Sequence, residues 1–135
     1  FSNSDIFFDN TITNCKKVGL KEKKHICTLV RYDYKLSYGD KLNKSLLYRR
    51  NDSQDTWIYN THNTLDKNMI STLNFNLGMS GCDNHFSYLM KSFGYKCLNI
   101  PWNIKTYHLH TTQIRNYNST DRIKGGYLAV KPIRI

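Results

Sequence analysis

The stretch Ser80-Gly81-Cys82-Asp83-Asn84-His85, followed by Phe86-Ser87-Tyr88-Leu89-Met90-Lys91-Ser92-Phe93 and closed by Gly94, decides how this chain is read. Phe86, Leu89, Met90 and Phe93 recur at helical spacing, so a helix is predicted to begin near Asp83 and to end before Gly94. Asp83 then lies at the helix start, where the backbone dipole favours a charged carboxylate. After Gly94 the sequence reads as a strand over 95–98, a turn at Asn99-Ile100-Pro101, and a second apolar strand running into Tyr107-His108-Leu109-His110. Alternation along that strand puts His108 and His110 on one face. A carboxylate on a helix start and two imidazoles at the end of a later strand are parts from which an enzyme site is made.

Outward from this unit, Asn3-Ser4-Asp5 forms an acidic turn leading into an apolar strand, Ile6-Phe7-Phe8. Residues 9–20 read as a mixed connector with a short helix. The β-branched and aromatic run over 25–34 is the best strand of the chain. Residues 35–52 are polar and carry Tyr38-Gly39-Asp40, the mark of a surface excursion. Asp55-Thr56-Trp57-Ile58-Tyr59 is a further short strand. Gly78 and Gly81 bracket the turn into the helix, Gly125-Gly126 is a second turn signal, and 127–130 is predicted as a final strand. Strands and helices alternate without internal repeat, which indicates an α/β domain.

The chain of 135 residues is one domain by length and long enough to bury a core. No apolar run approaches the roughly 20 residues of a membrane span, and no secretory signal is visible. Four cysteines, Cys15, Cys27, Cys82 and Cys97, form no CxxC pair, so buried free thiols in a reducing compartment, the cytoplasm, are expected. The formal net charge of +10 favours polyanionic partners. Ten Tyr among the lysines would supply stacking platforms for a nucleic acid, but no helix-turn-helix, zinc-finger or RNP-type pattern is present, so that class is not favoured.

Three features need a common explanation: Asp5 at a turn beside a strand, Asp83 at a helix start, and the His108/His110 pair. A divalent cation carrying a diphosphate commonly takes a carboxylate and an imidazole from the protein. Sugar transfer also needs a general base for the acceptor hydroxyl, a role that suits a carboxylate. The same residues have structural roles open to them: Asp5 as a turn cap, Asp83 as a helix cap, either histidine as a hydrogen-bonded core residue.

On these pieces, with Asp52-Ser53-Gln54-Asp55-Thr56-Trp57-Ile58-Tyr59, Gly81-Cys82-Asp83-Asn84, Gly94-Tyr95 and His108-Leu109-His110 followed by Arg115-Asn116-Tyr117, the sequence resembles nucleotide-sugar-dependent glycosyltransferases of the GT-A fold. More narrowly it is similar to glycosyltransferase-like proteins that include giant-virus ones, and the resemblance runs from Asn3 to about Val130. It implies a partial GT-A, Rossmann-like domain with a mixed sheet flanked by helices, placed in the host cytoplasm or virus factory. It implies a nucleotide-sugar donor, a glycan or protein acceptor, and Mn²⁺ or Mg²⁺. Asn3 and Asp5 would meet the nucleotide, with Asp5, His108 and His110 on the metal. Asp83 would be the general base of an inverting transfer, and Asp55, Trp57 and Asn84 would lie on the acceptor side. In the GT-A fold a nucleotide-binding half precedes the DxD motif; little of this sequence precedes Asn3, so the chain is expected to correspond to the later portion only. The competing classes are a basic nucleic-acid-binding module, a metal-dependent nuclease built on Asp83, His85, His108 and His110, and a non-catalytic structural protein of a large virus.

Overall fold

The computed structural model of the chain describes residues 1–109, 118 and 120–135. Its strands are β1 (Ile6–Phe8), β2 (His25–Leu29), β3 (Tyr32–Tyr34), β4 (Leu46–Leu47), β5 (Thr56–Tyr59), β6 (Lys96–Leu98) and β7 (Thr106–Leu109). Two α-helices, α1 (Lys67–Thr72) and α2 (Cys82–Ser92), and a 3-10 helix over Asn10–Lys17 complete the main elements. The architecture is mixed α/β with two mixed sheets. One has the order β5-β2-β6, with β2 antiparallel to β5 and parallel to β6; the other has the order β1-β7-β3-β4, with β7 antiparallel to β1 and parallel to β3.

The first sheet is buried on both faces, which explains why β2 reads as a continuous apolar run. Cys27 and Leu29 point into one cluster with Val18, Leu20, Leu98, Ile100 and Ile104. Ile26 points the other way, where it meets Trp57, Phe86, Met90 and Tyr95. Helix α2 supplies Phe86 and Met90 to that second layer, so its predicted apolar stripe is the stripe it buries. Gly81 precedes the helix at φ +80°, and a Cβ there would sit 2.9 Å from the Tyr127 ring. Only glycine combines that backbone with that approach.

The strand predicted over 25–34 is two strands in two sheets. At the junction Val30 leaves the ladder: its N–H donates to Asn99 Oδ1 (3.2 Å) and its carbonyl accepts from Thr106 Oγ1 (3.1 Å). Side-chain bonds thus replace sheet bonds, satisfying a fully buried backbone while the chain changes sheet. The predicted strand at 127–130 does not form. Leu128 N–H goes to Asn84 O and Val130 N–H to Asn51 O, so its donors are shared between separate segments and no ladder is built. The excursion over 35–52 contains two 3-10 turns and the short β4.

The second sheet sorts its side chains by pleat. Phe7, Tyr107 and Tyr32 are cross-strand neighbours and form an aromatic face, with ring centroids 5.3 Å apart for Phe7–Tyr107 and 5.7 Å for Tyr32–Tyr107. The alternate residues Ile6, His108 and Asp33 fall in register on the opposite face.

Candidate functional site

Asp5, Asp55, Asp83 and His108 gather at one end of the two sheets, and the backbone explains why. Asp5 precedes β1, which is antiparallel to β7, so the amino end of β1 meets the carboxyl end of β7. The Leu109 N–H donates to Asp5 O (2.9 Å) and fixes that meeting. Asp55 precedes β5, antiparallel to β2, and its N–H donates to Leu29 O (3.0 Å) at the carboxyl end of β2. The start of α2 is joined to the same place, since Asp83 Oδ2 accepts from the backbone N–H of Gln54 (3.1 Å). In open α/β sheets this end of the strands is where ligands bind.

Within the group, His108 Nε2 and Asp5 Oδ2 are 2.8 Å apart. The Asp5 side chain is 47% exposed and that of His108 15%, so this pair forms the rim. Asp55 lies deeper. Its Oδ1 accepts from Asn3 Nδ2 (2.9 Å) and its Oδ2 from Arg31 Nη1 (2.8 Å). The Arg31 Nε donates in turn to Asp33 Oδ1 (3.1 Å), and the guanidinium lies over the Tyr48 ring at 4.3 Å. Arg31 therefore bridges one carboxylate from each sheet.

Burial pushes the Asp55 carboxyl above its ordinary range, against the pull of Arg31 and then of His108; the Asp5 charge adds to the rise. Burial likewise raises Asp83, opposed by backbone N–H groups of Asn84 and Gln54, and the neighbouring Asp55 charge raises it further. A carboxyl group held up in this way accepts a proton more readily than an exposed aspartate does. Asp83 occupies the first turn of α2, as the sequence predicts, and keeps partial exposure.

The residues expected on the acceptor side are all buried. Asp55 and Asn84 are each 6% exposed and Trp57 only 1%. The Trp57 ring stacks on Phe1 at 4.8 Å and meets Phe86 edge-on at 5.5 Å. It packs in the core behind the site, with no open face for a sugar. Asp55 is an anchor for Asn3 and Arg31. Asn3 sits beside it, with its N–H donating to Asp55 O (3.0 Å). His110, like Arg115-Asn116-Tyr117, lies outside the described residues.

Sequence reasoning missed Arg31 and Gln54. The Arg31-x-Asp33 spacing is the signal that was available, because residues two apart on a strand share a face and a cation there can hold its neighbour's carboxylate. Nothing in the sequence marked the Gln54 backbone as the link to the helix.

Among the described residues no group of three or more His, Cys, Asp or Glu side chains is arranged to hold a metal by itself. The Asp5–His108 pair offers two donors. Their 2.8 Å separation is close to the ~3.0 Å between neighbouring ligands of a Mn²⁺ or Mg²⁺ ion with bonds of about 2.1 Å. Mg²⁺ in particular is usually held by one or two carboxylates plus water and phosphate oxygens, and Asp5 is the one carboxylate of this pair, with the imidazole of His108 suiting Mn²⁺ better. All four cysteines are free, and burial lifts the Cys27 thiol to about 12, which keeps it unreactive. The His85 ring bonds Gly126 O through Nδ1 (2.8 Å) and packs against Phe75, away from the carboxylates. Two cavities lie elsewhere: one of about 620 Å³ bordered by Gly78, Asp121, Arg122 and Lys124, and an apolar one of about 270 Å³ bordered by Phe1, Leu73 and Phe86. Among the described residues no helix is long and apolar enough to cross a membrane.

Comparisons of the chain with models of protein families, with curated proteins and with solved structures give no match.

Proposed function

We propose that this chain is a glycosyltransferase-type domain, corresponding to the later portion of a GT-A fold, that transfers a sugar from a nucleotide-sugar donor to an acceptor hydroxyl. The observation that carries the reading is the convergence of Asp5, Asp83 and His108, three residues scattered over the sequence, at the carboxyl ends of β2 and β7. A solvent-facing carboxylate–imidazole pair and a separate carboxyl with a raised proton affinity are the two functions such a transfer requires.

In this reading Asp5 and His108 hold Mn²⁺ or Mg²⁺, which when bound neutralises charge on the departing nucleoside diphosphate. Asp83 accepts the proton of the acceptor hydroxyl as its oxygen bonds to the sugar C1 and the C1–O bond to the diphosphate breaks. The raised proton affinity of Asp83 brings the base nearer to the working pH, and the Gln54 N–H holds the carboxylate in place. Asp55 and Arg31 act one step back: they fix Asn3, and through the short 3–5 turn the position of Asp5, relative to Asp33 and β3.

Calorimetric titration of nucleoside diphosphates with and without Mn²⁺ tests the proposal. Binding of one nucleotide that requires Mn²⁺ and is lost in Asp5→Ala supports it, and Asp83→Asn should retain that binding because its role is in proton transfer. Absence of any Mn²⁺-dependent binding at millimolar nucleotide would remove the transferase reading.

A further inference from the structure

We infer that the end of the molecule opposite the acidic site, built from the turn over 16–24 and the junction of α2 with β6, is a docking surface for the phosphate backbone of a nucleic-acid duplex. The topology gathers charges that the sequence disperses. Lys17, Lys21, Lys23 and Lys24 lead into the amino end of β2, while Lys91 closes the last turn of α2 and Lys96 opens β6. The parallel register of β2 with β6 sets His25 against Lys96, and the Lys96 N–H donates to Lys24 O (2.7 Å). Lys24 then reaches across the end of α2, its Nζ 3.3 Å from Phe93 O and 5.5 Å from the centre of the Tyr95 ring. All six side chains are exposed. Glu22 is the one acidic residue in either segment, and no acidic residue occurs from Asn84 to Thr120.

Distance keeps this surface independent of the carboxylates. From His25 to Leu29 the strand takes four steps of about 3.3 Å, or roughly 13 Å. That exceeds the Debye length of about 8 Å at physiological ionic strength, so the far carboxylates do not neutralise the lysines.

The kind of polyanion follows from what the surface lacks. Val18, Leu20 and Tyr95 are buried, and no large apolar or aromatic side chain is exposed over 16–24 or 91–96, the exposed Tyr88 lying one turn earlier in α2. Single strands are held by exposed aromatic platforms, and interfacial membrane binding draws on apolar insertion. Neither is offered here. Exposed lysine ammonium groups, with the Tyr95 ring beneath Lys24 buried and closed to a base, are suited to phosphate contacts along a duplex, which carry affinity and no base readout. The surface also stands apart from the sugar-transfer reading, and each could fail without the other.

The test is fluorescence anisotropy with a labelled mixed-sequence duplex of about 20 base pairs, at several salt concentrations. If about three phosphates are neutralised, affinity should fall roughly 40-fold between about 50 and 200 mM salt, whatever the base sequence. Two triple variants of equal net charge then localise the contact. Lys21→Glu/Lys23→Glu/Lys96→Glu should weaken binding at least about tenfold more than Lys35→Glu/Lys41→Glu/Lys44→Glu, whose lysines are exposed on another part of the chain. Circular dichroism confirms that both variants are folded. Equal losses in the two variants, no binding at low salt, or tighter binding to phosphatidylserine vesicles than to the duplex would each overturn the inference.

Discussion

The candidate site has an interior and a rim, and they are built on opposite principles. In the interior, Asp55 has both oxygens taken, one by Asn3 and one by Arg31, and it sits in front of a Trp57 ring packed on Phe1 and Phe86. At the rim, Asp5 is half exposed and has His108 as a neighbour across the strand ends. Interior groups contribute by being satisfied, because a buried charge without its partner is costly. Rim groups contribute little to stability and remain able to exchange a partner for water or a ligand. The same residue type, aspartate, therefore has two different roles within a few residues of the same sheet ends, and burial decides which.

The comparison is most exposed to failure at Asp55. Asp55→Ala removes the carboxylate and leaves the Arg31 guanidinium, itself only 15% exposed, with Asp33 as its remaining ion-pair partner among the described residues. Breaking one side of a buried pair costs about 3 kcal/mol or more. Adding Arg31→Met should recover part of that loss, because the stranded charge is then gone. Urea denaturation of the two variants and the parent measures both effects. A loss below about 1 kcal/mol in Asp55→Ala would place Asp55 on the rim with Asp5.

The legibility of the two parts differs for the same physical reason. Helix α2, its ending before Gly94 and the placement of Asp83 in its first turn were readable because apolar periodicity and helix-end chemistry are local. Strands β1, β5, β6 and β7 were readable from short apolar runs. The break at Val30 was not, since it depends on Asn99 and Thr106, about seventy positions away, offering side chains to a buried backbone. The role of Arg31 is invisible in the sequence for the same reason: its partner Asp55 is 24 positions distant. The rim residues were singled out from residue type and spacing, whereas the burial of Trp57, Asn84 and Asp55 is a property of packing that no spacing encodes.

Asp83 lies between the two classes and sharpens the contrast. Burial, then the Asp55 charge, raise its proton affinity in the folded state, although backbone N–H groups pull the other way. A carboxyl whose folded pKa lies above its unfolded value binds more protons when folded, so stability falls as pH rises through the interval between the two. Above that interval the folded chain carries the full cost of the ionised group. Asp83→Asn keeps an oxygen for the Gln54 N–H and carries no charge at any pH. It should stabilise the chain at pH 7, with the gain fading as pH falls through that interval and absent below about 4, where the parent carboxyl is protonated in both states. Loss of the helix-start charge opposes this by about 0.5 kcal/mol. Paired melts at the two pH values decide it. A variant that is less stable at pH 7 would make Asp83 a plain helix cap.

The smallest stability effect is predicted where the largest functional one is. Asp5→Ala removes a carboxylate whose ion-pair partner is His108 and whose side chain is 47% exposed. Exposed pairs are worth between 0 and about 1 kcal/mol, and His108 contributes a charge only while protonated, so the change in unfolding free energy near neutral pH should stay within about 0.5 kcal/mol. A ligand that binds only the folded chain raises its apparent stability according to its concentration over its dissociation constant. If Asp5 and His108 hold a divalent cation with a nucleoside diphosphate, that pair of additives should raise the parent's melting temperature and leave Asp5→Ala unmoved, although the two chains melt together without them. A loss of more than about 1.5 kcal/mol in the unliganded variant would make the rim structural, since no exposed ion pair accounts for so much. The distinction between interior and rim would then rest on Asp55 alone.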